Sequence, residues 1–230
     1  MYNILLTYLL FFSFFTSGQN IEDCVFYPAI NSANGGNVRL EKINTEFYEK
    51  YQSYYIKPCK DNGWLSFDNS DSIESALVKD YPLLFKKENN GFSFKDIGGN
   101  SISFKRKTSS GYPKSNSGYK IEARYNDFII IRHYSYEQWG YIVVSLKNSI
   151  AYTLPGKPIF IDSELIYSFE NYYDGSVIKI IDTKKQSDIS MLFDDVEITH
   201  TRYSRNKSMG ILFEFNSECK GLPMLRLIVQ

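Results

Sequence analysis

From Gly91 onward the chain is a succession of short apolar runs, each closed by turn-forming residues. GFSFKDI, SISFKRK, YKIEARY, DFIIIRHYSY, GYIVVSL, IAYTL, PIFID, ELIYSF, SVIKIID, VEITHTRY, MGILFEF and MLRLIVQ follow in that order. Several alternate apolar with polar residues, the period of a strand with one buried face. Gly98-Gly99-Asn100 separates the first two runs and reads as a hairpin turn. The runs recur roughly every 10 residues, which suits a sandwich, a barrel or a propeller. TSSGYPKSNSGY interrupts them as a polar loop rich in Gly, Ser and Pro.

The first third has a different grammar. In NVRLEKINTEFYEKYQSYY the residues Leu40, Ile43, Phe47 and Tyr51 are spaced by three or four, which predicts one helix face. SDSIESALVKDYPLLFKK repeats this with Ile73, Leu77 and, after a break, Leu84. Ser70 or Asp71 can cap that helix by accepting free backbone N–H groups. Pro82 ends or kinks it, because proline lacks an N–H and crowds the preceding turn. The expected fold is therefore α+β and mainly antiparallel β, with propeller-like or sandwich-like sheets and two short N-terminal helices. The expected organisation is a signal peptide at 1–18, an N-terminal helical segment at 19–90 and a β-rich domain at 91–230.

Strand-rich blocks begin near Asp127, Pro158 and Asp194, roughly 30 to 40 residues apart, the scale of a propeller blade. In the second block Pro158, Phe160, Asp162, Ile166 and Phe169 stand where a short strand, a turn and an aromatic-ended strand place them. This segment, 158–193, resembles the repeat of TolB-type periplasmic β-propeller proteins. The turn lacks that repeat's Pro and Gly. The resemblance implies propeller-like antiparallel sheets and no activity.

Residues Ile4 to Phe15, ILLTYLLFFSFF, are apolar but too few to span a bilayer, which takes about 20 residues. Their length suits the centre of a secretory signal, and Thr16-Ser17-Gly18 supplies small residues for cleavage after Gly18. The mature chain is thus expected to be exported, periplasmic or extracellular, with no transmembrane segment once the signal is removed. All three cysteines, Cys24, Cys59 and Cys219, lie beyond that point. In an oxidising compartment thiols pair. A Cys24–Cys59 disulfide is the preferred pairing, since it closes a moderate loop, and Cys219 is the competing partner.

Charge and motif content exclude several chemistries. Lys plus Arg and Asp plus Glu number 26 each, and no block of like charge stands out, so general affinity for nucleic acid is not expected. The two histidines, His133 and His200, form no His-x-His or His-Glu-x-x-His pattern. There is no Cys-x-x-Cys either, so no metal site is expected. A Gly-x-Ser-x-Gly elbow and a Gly-rich phosphate loop with Lys are both lacking. No cofactor is implied. Paired carboxylates remain as the one catalytic option. Glu137, Glu164, Glu170 and Asp174 are the acids nearest aromatic residues in sequence.

DFIIIRHYSYEQWGYIVVSL carries the strongest binding signal. As a strand it puts Phe128, Ile130, Arg132, Tyr134 and Tyr136 on one face and Ile129, Ile131 and His133 on the other. Glu137-Gln138-Trp139-Gly140 reads as the turn, with Gly140 supplying a positive φ. Ile142, Val144 and Leu146 then line the buried face of the return strand. The rings at this tip suit either cross-strand packing or an exposed platform. SFENYYDG forms a second tip, with Tyr172 and Tyr173 before Asp174-Gly175. The candidate binding residues are Tyr134, Tyr136, Glu137, Trp139, Tyr172 and Tyr173, on tips expected along one edge of the fold. The function expected is that of an exported, non-enzymatic binding protein contacting a protein or envelope component. The alternative is a carboxylate-dependent hydrolase acting on glycans.

Overall fold

Among the described residues four antiparallel sheets lie one behind another in chain order, so that the middle two are covered on both faces. The computed structural model describes residues 28–33, 37–55, 57, 65–66, 70–95, 98–106, 118–135, 139–194, 196–204, 206–216 and 224–229. The expected signal peptide and Cys24, Cys59 and Cys219 lie outside them.

Strands β1 (Ala29–Ala33) and β2 (Val38–Ile43) precede helix α1 (Thr45–Tyr51). Strand β3 (Leu65–Ser66) and helix α2 (Ser70–Asp80) follow. The first sheet is the meander β4 (Phe85–Glu88), β5 (Gly91–Lys95) and β6 (Ser101–Lys105). The second comprises β7 (Gly118–Tyr125), β8 (Phe128–Tyr134), β9 (Trp139–Ser145) and β10 (Ala151–Leu154), with β3 added beside β7. The third comprises β11 (Ile159–Phe160), β12 (Leu165–Tyr172), β13 (Gly175–Asp182) and β14 (Ser187–Asp194), with β1 added beside β14. The fourth comprises β15 (Glu197–Tyr203), β16 (Ile211–Asn216) and β17 (Met224–Val229), with β2 as its last strand. Among the described residues the protein is thus mainly antiparallel β with two short helices, as its strand grammar predicts.

Burial follows the stacking. Ile129, Ile131 and Val144 of the second sheet pack with Phe85, Phe92, Phe94 and Phe104 of the first. Helix α2 lies on β7 and adds Ile73 and Leu77 to that cluster. From its other face Phe128, Ile130 and Val143 meet Phe160, Ile166 and Ile181 of the third sheet. The far face of the third sheet sends Tyr167, Ile178, Ile180, Met191 and Phe193 against Ile198, Ile211, Phe213 and Leu227 of the fourth. Continuous runs such as FIII and YIVV are what a sheet covered on both sides requires. This corrects the expectation of a single buried face on β9. Val143 and Val144 are both fully buried, in two different clusters.

Two other elements depart from the periodicity reading. Leu40 and Ile43 have helical spacing but lie in strand β2. Their odd separation puts them on opposite faces, and Leu40 joins the core between the third and fourth sheets while Ile43 joins a cluster under α1. The helix begins only at Thr45, because the Asn44 side chain accepts the Phe47 N–H at 2.8 Å and caps it. Strand β14 was not among the expected runs, although Ile189, Met191 and Phe193 alternate inward along it. Helix α2 ends at Asp80, ahead of Pro82, as expected.

The segment before residue 57 ties the last two sheets together. Strand β1 pairs with β14, and β2 pairs with β17 in the register Glu41↔Arg226. Glu41 accepts from the Arg226 guanidinium and from Arg39. The same guanidinium lies 4.7 Å over the Phe47 ring. Tyr55 donates from its hydroxyl to the Met209 carbonyl at 2.7 Å. These contacts stitch α1 and β2 to strands more than a hundred residues away.

Phe213 is fully buried in the largest cluster, and Phe213→Ala is expected to lower the free energy of urea unfolding by about 3–5 kcal/mol. Glu41 behaves differently. Arg226 first, and then Arg39, hold its carboxyl below the ordinary 4.5. Its contribution is therefore present above that pH and disappears as the pH falls through the folded-state value. Glu41→Gln is expected to destabilise the protein at neutral pH, with the loss vanishing on acidification; an equal loss at both pH values would show that charge is not the cause.

Candidate functional site

The middle sheets change character along one direction. Strand β8 is fully buried from Phe128 to Ile131 and then half-buried through Arg132, His133 and Tyr134. Strand β12 does the same, buried from Leu165 to Ser168 and half-buried or exposed from Phe169 to Tyr172. Both fade toward their C-terminal ends, where side chains turn polar and aromatic. Between these ends the second and third sheets part around a cleft of about 330 Å³. Arg132 and Tyr141 of the second sheet line it together with Glu170, Asn171 and Tyr172 of the third, and Pro155 and Lys157 of the connection between the two sheets complete it. That volume is on the scale of small-ligand pockets, roughly 300–1,000 Å³.

Each wall is positioned by identifiable contacts. Arg132 and Tyr141 are cross-strand partners. The Arg132 guanidinium lies 4.9 Å from the Tyr134 ring centre and 5.9 Å from that of Tyr141, and 3.9 Å from the Glu122 carboxylate. Cation–π stacking of this kind fixes the plane of the fork. The connection from β10 into the third sheet passes directly against β12. Buried Ser168 accepts the Gly156 N–H at 2.9 Å and donates to the Gly156 carbonyl at 2.7 Å. A Cβ on residue 156 would stand 2.1 Å from the Phe169 carbonyl oxygen, so only glycine allows this approach. The connection out of the third sheet is clipped in the same way. Asn171 donates to the Ile198 carbonyl at 2.9 Å and accepts its N–H at 3.1 Å, while Ser176 bonds to Asn171 at 2.7 Å.

Glu170 is the acid that lines the cleft among the described residues. Its carboxyl is half-buried and receives the backbone N–H of Asn171. No cation is paired with it among the described residues. Burial raises its proton affinity, opposed only by that N–H. Tyr141 is pushed up to about 12, first by burial and then by the charge of Glu122, with Arg132 acting against both. Tyr172 is raised by burial and by Glu170. The cleft is therefore a desolvating place in which a carboxylate, two phenols and two cationic side chains converge.

The predicted site residues fall into three groups. Tyr172 lines the cleft at 39% exposure, and Tyr173 stands wholly in solvent at the tip between β12 and β13. Gly175 closes that two-residue turn at φ +142°, where a side chain would meet the Phe193 carbonyl. Tyr134 is half-buried, stacked on Arg132, and lies toward a second cleft of about 320 Å³ between the first and second sheets. Tyr136 and Glu137 lie outside the described residues. For Trp139 the backbone alone is described, and it corrects the turn. Trp139 and Gly140 belong to strand β9, paired with Tyr134 and His133, so neither is a turn residue. Gly140 has no positive φ; the backbone is strand there and needs none.

Arg132, Tyr141, Lys157 and Asn171 line the cleft without a sequence signal that marks them as site residues. Arg132 was placed on the correct face, but no periodicity says that the neighbouring sheet recedes there. Glu170 entered only as an acid near aromatic residues. Of the other acids in that group, Glu164 faces Lys184 at 3.7 Å across a turn, and Asp174 is exposed at the tip. Among the described residues no three His, Cys, Asp or Glu side chains are grouped to hold a metal ion, and no helix is long and apolar enough to cross a membrane. No protein-family model, curated protein or solved structure matches the chain.

Because Glu170 has a raised folded-state pKa, it favours folding at a pH below its unfolded value, near 4.5, and loses that advantage as the pH rises through the folded value. Glu170→Gln is accordingly expected to stabilise the protein at neutral pH and to have little effect well below pH 4.5. Urea unfolding in both conditions reads this out, and destabilisation at neutral pH would show that the carboxylate is paired in the fold.

Proposed function

We propose that this is an exported, non-enzymatic binding protein that contacts a protein or an envelope component through the ends of two hairpins in adjacent sheets. The observation that carries the reading is the cleft itself. Arg132 and Tyr141 from one hairpin, and Glu170 and Tyr172 from the next, line a single concavity. Exposed Tyr173 extends that wall into solvent. Tyrosine and arginine are the residues that supply most contact energy at recognition surfaces, because they offer large area with few rotatable bonds. In the same reading, the sheets stacked in chain order are propeller-like, and the TolB-type likeness of 158–193 corresponds to the third sheet, Ile159–Asp194. Asp162 of that likeness accepts the N–H groups of Glu164 and Leu165 at 2.7 and 2.8 Å, which accounts for an acid at that turn.

A glycan hydrolase would draw on the same Glu170, since a raised carboxyl suits a general acid. It requires a second carboxylate facing the first across about 5–10 Å. Among the described residues lining the cleft Glu170 stands as the one acid, and nearby Glu122 lies against Arg132. The binding reading is therefore preferred.

The test is native mass spectrometry of the protein purified from its own cells, wild type beside Tyr172→Ala/Tyr173→Ala. Tyr173 is wholly exposed and Tyr172 partly so, and the unfolding midpoint of the double variant checks that the fold is kept. A component bound to the wild type is expected to be lost from the double variant while the unfolding midpoint is kept. Equal retention by both proteins would remove the hairpin tips from the function.

A further inference from the structure

We infer that the cleft between the second and third sheets takes a saccharide, with the Glu170 carboxylate accepting ligand hydroxyls and the Tyr172 ring lying against the sugar. The inference rests on the binding reading above and narrows its ligand to one chemical class.

Three observations converge on hydroxyl-rich chemistry. The first is concavity. A cleft of about 330 Å³ suits one or two rings of a small ligand. A stable protein contact takes roughly 800 Å² of surface on each side and is far flatter. The second is the state of Glu170. It is half-buried, with no cation paired to it among the described residues and one N–H donated by Asn171. A carboxylate offers about four acceptor positions. Most of those on Glu170 therefore lack a described donor, in a place where water is partly excluded. A ligand with neighbouring hydroxyls satisfies them without bringing in a charge that Arg132 and Lys157, which also line the cleft, would oppose. A cationic ligand would meet that opposition, and an anionic one would meet Glu170. The third is the ring pair. Tyr172 presents a partly exposed ring beside Glu170, and Tyr141 faces it from the other sheet. Aromatic faces accept the C–H side of a sugar ring while its hydroxyls point to the polar wall.

The raised proton affinity of Glu170 fits the same account. A half-buried acid without a counter-charge weakens the fold at neutral pH, and groups of that kind concentrate at functional sites. Gly156, held by Ser168, keeps a backbone rather than a side chain beneath the carboxylate.

The experiment is isothermal titration of the full-length mature protein with cello-, xylo-, manno- and chitotetraose. Saturable binding of at least one tetrasaccharide is expected. Glu170→Gln and Tyr172→Ala are each expected to weaken it tenfold or more. Leu83→Ser, at an 86% exposed turn residue outside the cleft, is expected to leave it unchanged. Circular dichroism and the unfolding midpoint of each variant establish that the fold is intact. Absence of binding by all four sugars overturns the inference, as does binding that survives both cleft substitutions. Should no sugar bind while Tyr172→Ala/Tyr173→Ala still strips a co-purifying component, only the ligand class is wrong. Should neither effect occur, the cleft is not the binding site.

Discussion

The two middle sheets carry apolar side chains on both faces, and almost everything else follows from the need to cover them. FIII in β8 puts Ile129 and Ile131 toward the first sheet and Phe128 and Ile130 toward the third. A sheet of this kind has no solvent-tolerant side, so it cannot end a stack. It must be capped by elements that have one apolar face only. The first sheet serves at one end, with its four phenylalanines and helix α2 turned inward. The fourth sheet serves at the other. Charged residues appear where the obligation stops. In β4, Phe85 is buried while Lys86, Lys87 and Glu88 face water.

The fourth sheet is incomplete without the N-terminal segment. Its strands β15 to β17 need β2 to cover the edge of β17, and β1 does the same for β14 in the third sheet. Unpaired edges invite association with other chains, so one short segment protects two sheets at once. Arg226 marks how that join is secured. It meets Glu41 in register and lies over Phe47, combining an ion pair with a stacked ring. Closing such a long loop costs chain entropy that rises only slowly with length. Packing of Ile43, Tyr48, Tyr51 and Tyr55 under Leu212 and Met209 offsets that cost.

The sequence makes the strand-rich class legible because turn residues and apolar runs alternate so regularly after Gly91. That β8 has two buried faces is a finding of the structure, although Phe128 to Ile131 leave no polar position. Where the sequence misleads, the cause is tertiary. Leu40 and Ile43 satisfy a helical period and a strand pattern equally well, and only their burial in separate clusters distinguishes the two. Trp139-Gly140 looks like turn chemistry, yet pairing with Tyr134 and His133 extends the strand through it. Of the candidate site, Tyr172 and Tyr173 were legible from the tyrosines before Asp174-Gly175. Arg132 and Tyr141 were not, because their importance lies in which sheet stands opposite. Lys157 joins the cleft through the connection between the second and third sheets, and Asn171 is held there by Ile198 of the next sheet; no local pattern encodes either.

Those connections explain why a cleft exists at all. Two stacked sheets remain in contact as long as apolar side chains fill the space between them. Along β8 and β12 that filling stops at the same level, after Ile131 and after Ser168. Ser168 and Gly156 fasten the incoming connection just below this level, and Asn171 with Ser176 fasten the outgoing one. All four residues form hydrogen bonds with backbone or with each other, so the walls are set before any ligand arrives. A wall fixed by the fold needs little reorganisation on binding. Glu170 sits between the two fastenings, carried by a strand whose first half is immobilised in the core. Its weak accommodation within the fold is therefore confined to a rigid setting, which is where an acceptor left for an incoming donor has the greatest effect.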